Sequence, residues 1–356
     1  MPASSIDTFF ACSLMVILIV SAMAGTTKVV QPYLDDLAHT NDIERHKGLA
    51  EYLLVCTGNP ANWGAKKIVP SAFGLSSEIR RAYELDIDKV TRLNSHNIHS
   101  ITYPDILDAL GTTAVSVNIK IHTLFEVAIC LTSKHNGGMN TTYAFQITTT
   151  KSGFPIPTWL RTYTAIDTYV EETVSDAPDG RSELNATLSN SLNGTAILIV
   201  FAQAKACPQV MAVNAYLFGH NADSPEPNHT FLRLSPLSYL LNVSSRDQTV
   251  ELHSAHVFTY TYHFMLPPAS AGNQTVEYTI PRLSEASPLV LLVNGKNGST
   301  SFAEWTTYPQ LPLEIDPDFN DSTARSNTVA AVYVVSVGSV LYQAIITCRS
   351  VQNIDV

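Results

Sequence analysis

The chain has 356 residues, of which 45% are hydrophobic and only 15% are charged, and its formal net charge is −10. This length is enough for two or three compact domains with buried cores. The acidic balance and the lack of long Lys/Arg runs argue against a nucleic-acid partner, which would require basic surfaces to contact phosphate.

The first predicted element is an uncharged apolar segment, "TFFACSLMVILIVSAMAG", at residues 8–25. Its length is near the minimum for a membrane-spanning helix, about 17–25 residues. No basic side chain precedes it, unlike in a secretory signal, although Ala22-Met23-Ala24 fits the small-x-small pattern of a signal-peptidase site. Three roles stay open: a cleaved signal, a membrane anchor, and a helix that packs against copies of itself.

Helical spacing continues beyond this segment. Apolar residues recur at three- and four-residue intervals between charged ones, and Pro32 is the only strong helix breaker before Gly58-Asn59-Pro60. The pattern predicts one helix over residues 1–55, apolar in its first half and amphipathic in its second. The apolar positions that define the second half are Val29, Val30, Tyr33, Leu34, Leu37, Leu49, Leu53 and Leu54.

The N-terminal part of the chain resembles archaeal type IV pilin-like surface proteins over roughly its first 110 residues. The resemblance rests on a very short leader, on Asp7 at the start of the apolar stretch, and on "CTGNPANWG" at residues 56–64. It implies that a short leader is removed, with Asp7 in the family's acidic position if the leader ends at Pro2, and that the helix leaves the membrane to form a filament core. The implied assembly residues are Asp7, which would pair with a neighbouring subunit's terminal amine, and Phe9, Phe10, Leu14, Ile17 and Ile19. No Lys or Arg precedes the processing site, which departs from the family pattern.

A connecting region with short helices is predicted over residues 56–112. Asp86 is a suitable N-cap for one helix, and Pro104 suits the first turn of a second helix that Gly111 closes.

After Gly111 the hydrophobic period changes to two, with many β-branched and aromatic residues, which is typical of strands. A β-sandwich domain is predicted over 113–222 and a second β-rich domain over 223–356. The predicted fold class is therefore α+β: a long N-terminal pilin-like helix, small helices and two β-sandwich-like (Ig-like) domains. The uncharged stretch 327–348 could span a membrane, but its β-branched residues and Gly338-Ser339 favour a buried hairpin.

Eight Asn-x-Ser/Thr sequons occur, and all of them follow residue 139. Their concentration in the strand-rich part favours a glycosylated, outward-facing region and a cell-surface location. Chance formation in a Thr/Ser-rich chain is the alternative. The predicted glycosylation sites are Asn140, Asn185, Asn193, Asn228, Asn242, Asn273, Asn297 and Asn320.

Five cysteines include no CxxC pair, which argues against a zinc ribbon. Cys130 and Cys207 are a candidate disulfide in an oxidising compartment, with buried free thiols as the alternative.

Oxygen-bearing side chains recur at every second residue in one loop, a set that suits Ca²⁺, and calcium is the only cofactor candidate. A solvated acidic loop is the alternative reading of these residues, which are Glu314, Asp316, Asp318 and Asn320.

No nucleotide-binding, zinc-protease or Gly-x-Ser-x-Gly signature is present, and the chain is not expected to be an enzyme. The leading hypothesis is an extracellular filament subunit, inserted in the membrane before it polymerises with copies of itself and exposes glycosylated β-domains. The alternative is a membrane-anchored cell-surface binding or adhesion protein whose two sandwich domains hold an unidentified ligand.

Overall fold

The computed structural model describes residue 15 and residues 42–79, 81–112, 114–272, 274–283, 287–315 and 328–350. The predicted α+β class is wrong, because the described part of the chain is mostly β, with 55% of its residues in strands and 10% in helices. No long N-terminal helix is found among these residues, where the first multi-residue helix covers only 42–55. The predicted class gave too much weight to the N-terminal pattern and too little to the strands that follow Gly111. No helix in the described part of the chain is long and apolar enough to cross a membrane.

The first structural unit, here called the base unit, packs three helices against a five-stranded sheet. Its helices are α1 (residues 42–55), α2 (Ile87–Thr91) and α3 (Tyr103–Leu110). With strands numbered in chain order, the sheet contains β1 (Glu84–Leu85), β20 (Thr328–Val337), β21 (Val340–Ser350), β2 (Val115–Thr123) and β19 (Leu313–Ile315), in that spatial order. Apolar residues of the helices, among them Leu53, Leu54 and Val90, share one core with Trp63 and with the inward-facing residues of the sheet.

The two short helices predicted in the connecting region are confirmed. Asp86 caps α2 by accepting from the Lys89 backbone N–H at 2.9 Å. Thr102 and Asp105 form a capping box at the start of α3, and Gly111 ends that helix with a φ of 63°. Glycine tolerates this left-handed conformation because it has no Cβ. These caps hold α2 and the loop after it in a fixed position beside the sheet.

The predicted C-terminal hairpin is also confirmed. β20 and β21 pair antiparallel around Gly338 and Ser339, whose φ angles are 58° and 70°. β21 then pairs with β2, and β20 pairs in parallel with β1. The hairpin therefore lies in the base unit, and not in the second β-rich domain to which residues 223–356 were assigned. Hydrogen bonding to β2 decides this placement, and a distant strand partner cannot be read from local periodicity.

Two four-stranded sheets form the first sandwich. One sheet pairs β3 (Glu126–Asn136) with β4 (Asn140–Lys151), which also pairs with β5 (Phe154–Pro155) and β8 (Arg181–Ser189). The other sheet has the order β10 (Met211–His220), β9 (Gly194–Ala204), β6 (Thr158–Ile166) and β7 (Tyr169–Ala177). Their facing side chains, including Phe145, Ile147, Leu198 and Val200, form its core.

The second sandwich has the same two-sheet form. Its outer sheet has the order β11 (Leu232–Leu237), β12 (Leu240–Ser245), β16 (Thr275–Thr279) and β15 (Pro268–Ala271). Its inner sheet has the order β14 (His263–Met265), β13 (Val250–Phe258), β17 (Leu289–Asn297) and β18 (Thr300–Tyr308). Leu234, Val257, Leu291 and Phe302 lie in the core between them.

The two sandwiches pack against each other through the sheets that contain β9 and β17. Tyr163, Ile199 and Phe201 of the first sandwich share an apolar cluster with Phe258 and Leu292 of the second. Strand β9 is therefore buried on both faces, which explains its uninterrupted apolar run. Four sheets thus lie in successive layers.

The turn between β6 and β7 docks on the second sandwich through the backbone of Asp167. Its carbonyl oxygen lies 3.1 Å from Ser254 Oγ, 3.1 Å from His256 Nε2 and 3.0 Å from Asn294 Nδ2. A carbonyl can only accept, so His256 Nε2 carries the hydrogen. His256 Nδ1 is buried and has no hydrogen-bond partner in the structure. Burial lowers the pKa of His256, an effect that the Asp167 contact opposes.

We expect His256→Gln to reduce the loss of folding stability that the wild-type protein shows as the pH decreases. Because the pKa of His256 is lower in the folded protein, the unfolded chain binds more protons below about pH 6.5, and stability falls as the pH decreases toward the folded pKa. One proton contributes at most about 1.4 kcal/mol per pH unit. Urea midpoints of wild type and variant near neutral pH and at about pH 5 measure the difference. An identical pH dependence in both proteins would contradict the assignment.

Candidate functional site

A concave pocket of about 420 Å³ lies where the base unit and both sandwiches meet. We call it the junction pocket. The base unit supplies the ends of β2 and β21, and the first sandwich supplies the ends of β3 and β4. The second sandwich supplies Pro288 and the end of β18. A volume of about 300–1,000 Å³ is typical of small-molecule sites.

The inner wall of the junction pocket is mainly apolar. Phe125, at 3% exposure, enters from the turn between β2 and β3, and Tyr342 enters from β21. Pro309 and Leu311 lie on the segment that leaves β18. Thr307 fixes this segment, because its Oγ1 donates to the Leu311 carbonyl at 3.0 Å and accepts from the Leu311 N–H at 3.1 Å. The wall is therefore built by backbone that is hydrogen-bonded in place.

Polar side chains line the rest of the pocket. His122 and Gln343 are directly paired neighbours on β2 and β21. His122 Nδ1 lies 2.9 Å from the Thr123 carbonyl, which can only accept, so Nδ1 carries the hydrogen and Nε2 is an acceptor in the neutral ring. Glu126 and Lys151 add exposed charges of opposite sign. Burial raises the pKa of Tyr342, which keeps its phenol neutral. The pocket therefore combines apolar contact area with a few hydrogen-bonding groups.

The predicted calcium loop is only partly described. Glu314 lies on β19 and forms a salt bridge with Lys120 on the neighbouring strand β2. Asp316, Asp318 and Asn320 lie outside the described residues, as do all the predicted assembly residues from Asp7 to Ile19. Within the described ranges, no group of three His, Cys, Asp or Glu side chains is placed to hold a metal ion.

The predicted disulfide between Cys130 and Cys207 is not formed, and both thiols are free. Cys130 is exposed on β3 of one sheet, whereas Cys207 lies in the turn between β9 and β10 of the other sheet. The residues are on different layers of the first sandwich. Strand-like flanking sequence could not show this separation.

The predicted glycosylation sites differ in their environments. Asn140, Asn185 and Asn193 are exposed, and Asn242 and Asn297 are partly buried. Asn228 is part of the fold: its Nδ2 donates to the Trp305 carbonyl, and its Oδ1 accepts from the Trp305 N–H, both at 2.9 Å. Asn273 and Asn320 lie outside the described residues.

We expect glycans on the exposed sequons and not on Asn228. A glycan bonded to Asn228 Nδ2 would replace a hydrogen of an amide that pairs with both polar groups of Trp305. Peptide mapping of protein from its native host, with and without deglycosylation, measures the occupancy of each site. An occupied Asn228, or unmodified Asn140, Asn185 and Asn193, would contradict the expectation.

Sequence reasoning missed the junction pocket, because its lining comes from separate segments between residues 122 and 343. The only local signal is "YPQLP" at residues 308–312, which reads as a loop with no assigned role. It also missed three buried charged residues, Asp88, Lys89 and Arg92, because the burial of polar positions on a short helix depends on distant segments that pack over it.

No protein-family model and no curated protein matches the chain, so the resemblance to type IV pilin-like proteins stays a prediction. Among solved structures, the two tandem C2 domains of extended synaptotagmin 2 align with 10% identity over 66% of this chain and 91% of theirs, at a TM-score of 0.15. A calcium-bound structure of the same domains aligns with 9% identity over 66% of this chain and 97% of that chain, at a TM-score of 0.14. Similarity at this level carries no functional argument.

Proposed function

We propose that this chain is a non-enzymatic binding protein of the cell surface, and that the junction pocket holds its ligand. The ligand would be a small molecule with a ring-shaped apolar part and at least one hydrogen-bonding group. The single observation that carries the proposal is the junction pocket, a cleft with an apolar inner wall and polar side chains around it. All three structural units contribute residues to this cleft.

The chemistry of the pocket supports binding of an aromatic or alicyclic ring. Leu124, Leu311 and Pro312, which are partly or fully exposed, offer apolar surface in front of the buried Phe125 and Tyr342, and rings pack well against such surfaces. His122 can accept a hydrogen bond through Nε2, and the Gln343 amide can donate or accept, at one side of the ring. Ligand pockets commonly lie at the boundaries of structural units.

A surface location is supported by composition. Three sequons lie on exposed asparagines of the first sandwich, namely Asn140, Asn185 and Asn193. Charged residues are only 15% of the chain, and its polar surface is built largely from Thr, Ser and Asn. Such a surface suits an exported, glycosylated protein.

The test uses N-phenyl-1-naphthylamine, a neutral fluorescent probe with apolar rings and one N–H group. We expect the wild-type protein to enhance its fluorescence and Gln343→Trp to weaken probe binding by about tenfold or more, because the indole would fill the pocket. Thr347→Trp is the matched control, since Thr347 has the same orientation on β21 and does not line the pocket. The control should bind like the wild type.

Two outcomes would count against the proposal. One is the absence of any fluorescence change with the wild-type protein. The other is equal binding by Gln343→Trp and Thr347→Trp, which would place the probe elsewhere. Circular dichroism and the urea midpoint of each variant verify that both remain folded.

A further inference from the structure

A second concave site, of about 520 Å³, lies between the loop after α2 and the outer sheet of the second sandwich. It shares no lining residue with the junction pocket. We call it the histidine–arginine pocket, defined by His96, His229, Arg233, Ser244, Ser245 and Arg246.

Two histidine rings are stacked in this pocket. The rings of His96 and His229 lie with centroids 5.1 Å apart and planes 13° from parallel. The Trp305 N–H donates to Asn228 Oδ1 at 2.9 Å, so Asn228 presents its Nδ2 to His229 Nε2 at 3.2 Å. His229 Nε2 therefore accepts, and the hydrogen of the neutral ring is on Nδ1. The fold thus fixes one histidine as a donor through Nδ1.

Two guanidinium groups add positive charge. Arg233 is held by the carbonyls of Ser95, His96 and Asn97 at 3.1, 2.8 and 2.8 Å, which also order the loop that carries His96. Arg246 is exposed. No salt bridge between described residues neutralises either arginine, and no Asp or Glu lines the pocket. This positive charge is concentrated in a chain whose net charge is −10.

The acidic side chains around the pocket are engaged in the fold. Glu304 is 1% exposed and accepts the N–H groups of Phe231 and Leu232 at 2.6 and 2.9 Å. Asp247 accepts from the Thr249 N–H at 3.3 Å, and Glu277 accepts from Ser270 Oγ at 3.3 Å. Glu304 is therefore buried where it caps the start of strand β11. It does not fill the place that an anion would take in the pocket.

We infer that the histidine–arginine pocket binds the oxyanion group of a small ligand, that is, a phosphate, sulfate or carboxylate. Arg246 would contact the anion directly, because its fork of N–H donors matches two oxygens of such a group. The histidine ring donors and the Ser244 and Ser245 hydroxyls are available for further hydrogen bonds. Arg233 would act mainly through its charge, since its donors already bond the loop carbonyls.

Binding of an anion should couple to proton uptake. Burial lowers the pKa of His229, and His96 and Arg246 lower it further. An anion beside the rings would oppose this effect and favour the imidazolium form, in which His229 Nε2 gives up the hydrogen bond that it accepts from Asn228. Arg233 and Arg246 disfavour that form, and Glu304 lies behind the site. Affinity should therefore increase as the pH falls below about 6.5, where an ordinary histidine begins to protonate.

The test is isothermal titration calorimetry of the full chain with inorganic phosphate, sulfate and glucuronate as separate probes, at about pH 5.5 and pH 7.5. We expect Arg246→Gln to weaken binding by about tenfold or more, and His96→Gln to weaken it by a smaller factor, because the ring that lines the pocket is lost. Both side chains are exposed, so the fold should tolerate these changes. Arg181→Gln, an exposed arginine of the first sandwich, is the matched control.

The pattern among the three probes identifies the preferred oxyanion. The inference is overturned if no probe binds the wild-type protein at either pH, or if Arg246→Gln and the Arg181→Gln control bind equally well. Gln343→Trp should retain anion binding, which separates this site from the junction pocket.

Discussion

Asp88→Ala is expected to lower the free energy of unfolding by about 3–5 kcal/mol, because three donors lose a charged acceptor and each unsatisfied buried group costs about 1–3 kcal/mol. Asp88 is 7% exposed and joins the base unit to the second sandwich. Its Oδ1 accepts the Ser238 N–H and the Tyr308 O–H, both at 2.7 Å, and its Oδ2 accepts from Ser238 Oγ at 3.0 Å. The alanine variant would leave these three donors without an acceptor, and the Tyr308 hydroxyl would be left so in a buried position.

Tyr308 is a competent donor to Asp88 throughout the ordinary pH range. Burial, followed by the neighbouring Asp88 charge, raises the pKa of Tyr308. Its hydroxyl therefore stays protonated. The free energy is measured by urea denaturation followed by circular dichroism, with Asp108→Ala on α3 as the control, because Asp108 is exposed. If the free energy of unfolding falls no more in Asp88→Ala than in the control, the Asp88 hydrogen bonds between the base unit and the second sandwich contribute little to stability.

Arg92→Ala is expected to have a comparable effect, about 3–5 kcal/mol, within the base unit itself, from lost hydrogen bonds and a cavity. Arg92 is 2% exposed and donates to the carbonyls of His99, Trp63 and Ile68 at 2.7, 2.7 and 2.8 Å. Its guanidinium carbon also lies 5.3 Å from the centre of the Trp63 ring. Removing the side chain leaves three carbonyls without this donor and opens a cavity beside the tryptophan.

Arg92→Lys tests whether a positive charge at this position is sufficient to stabilise the fold. A lysine ammonium is a compact group on a flexible stem and cannot reproduce the planar fork, so we expect this variant to be destabilised by more than about 1 kcal/mol. Trp63 is fully buried, and its fluorescence reports on the site directly. Arg181→Ala, at an exposed position, is the control. Full stability of Arg92→Lys would mean that the geometry of the three hydrogen bonds is unimportant.

Hydrogen bonds between the base unit and the second sandwich hold one wall of the junction pocket in place. Asn97, which is fully buried, donates to the Pro236 carbonyl at 2.9 Å and to Gln310 Oε1 at 2.8 Å. Gln310 in turn donates to the Leu234 carbonyl at 3.0 Å. This network fixes the segment after β18, which carries Pro309 and Leu311 into the junction pocket. Preorganised backbone of this kind reduces the entropy lost when a ligand binds.

Local sequence determined the elements whose signals are local. The period of two after Gly111 predicted strands, Asp86 and Pro104 predicted two short helices, and Gly338-Ser339 predicted a hairpin, and the structure contains all of them. Each of these features depends on neighbouring residues through capping, turn geometry and side-chain alternation. The sequence also indicated strand-rich regions on both sides of residue 223, but it did not show that β2, β19, β20 and β21 leave these regions to form the sheet of the base unit.

Only the tertiary structure decided which strands become neighbours and which side chains meet. The pairing of β21 with β2 joins residues more than two hundred positions apart, and the burial of β9 on both faces requires a second sandwich to cover it. The separation of Cys130 from Cys207, the burial of Asp88 and Arg92, and both pockets follow from the same long-range packing. Periodicity specifies the face that a strand buries, but the partner that covers this face is selected by the free energy of the whole fold.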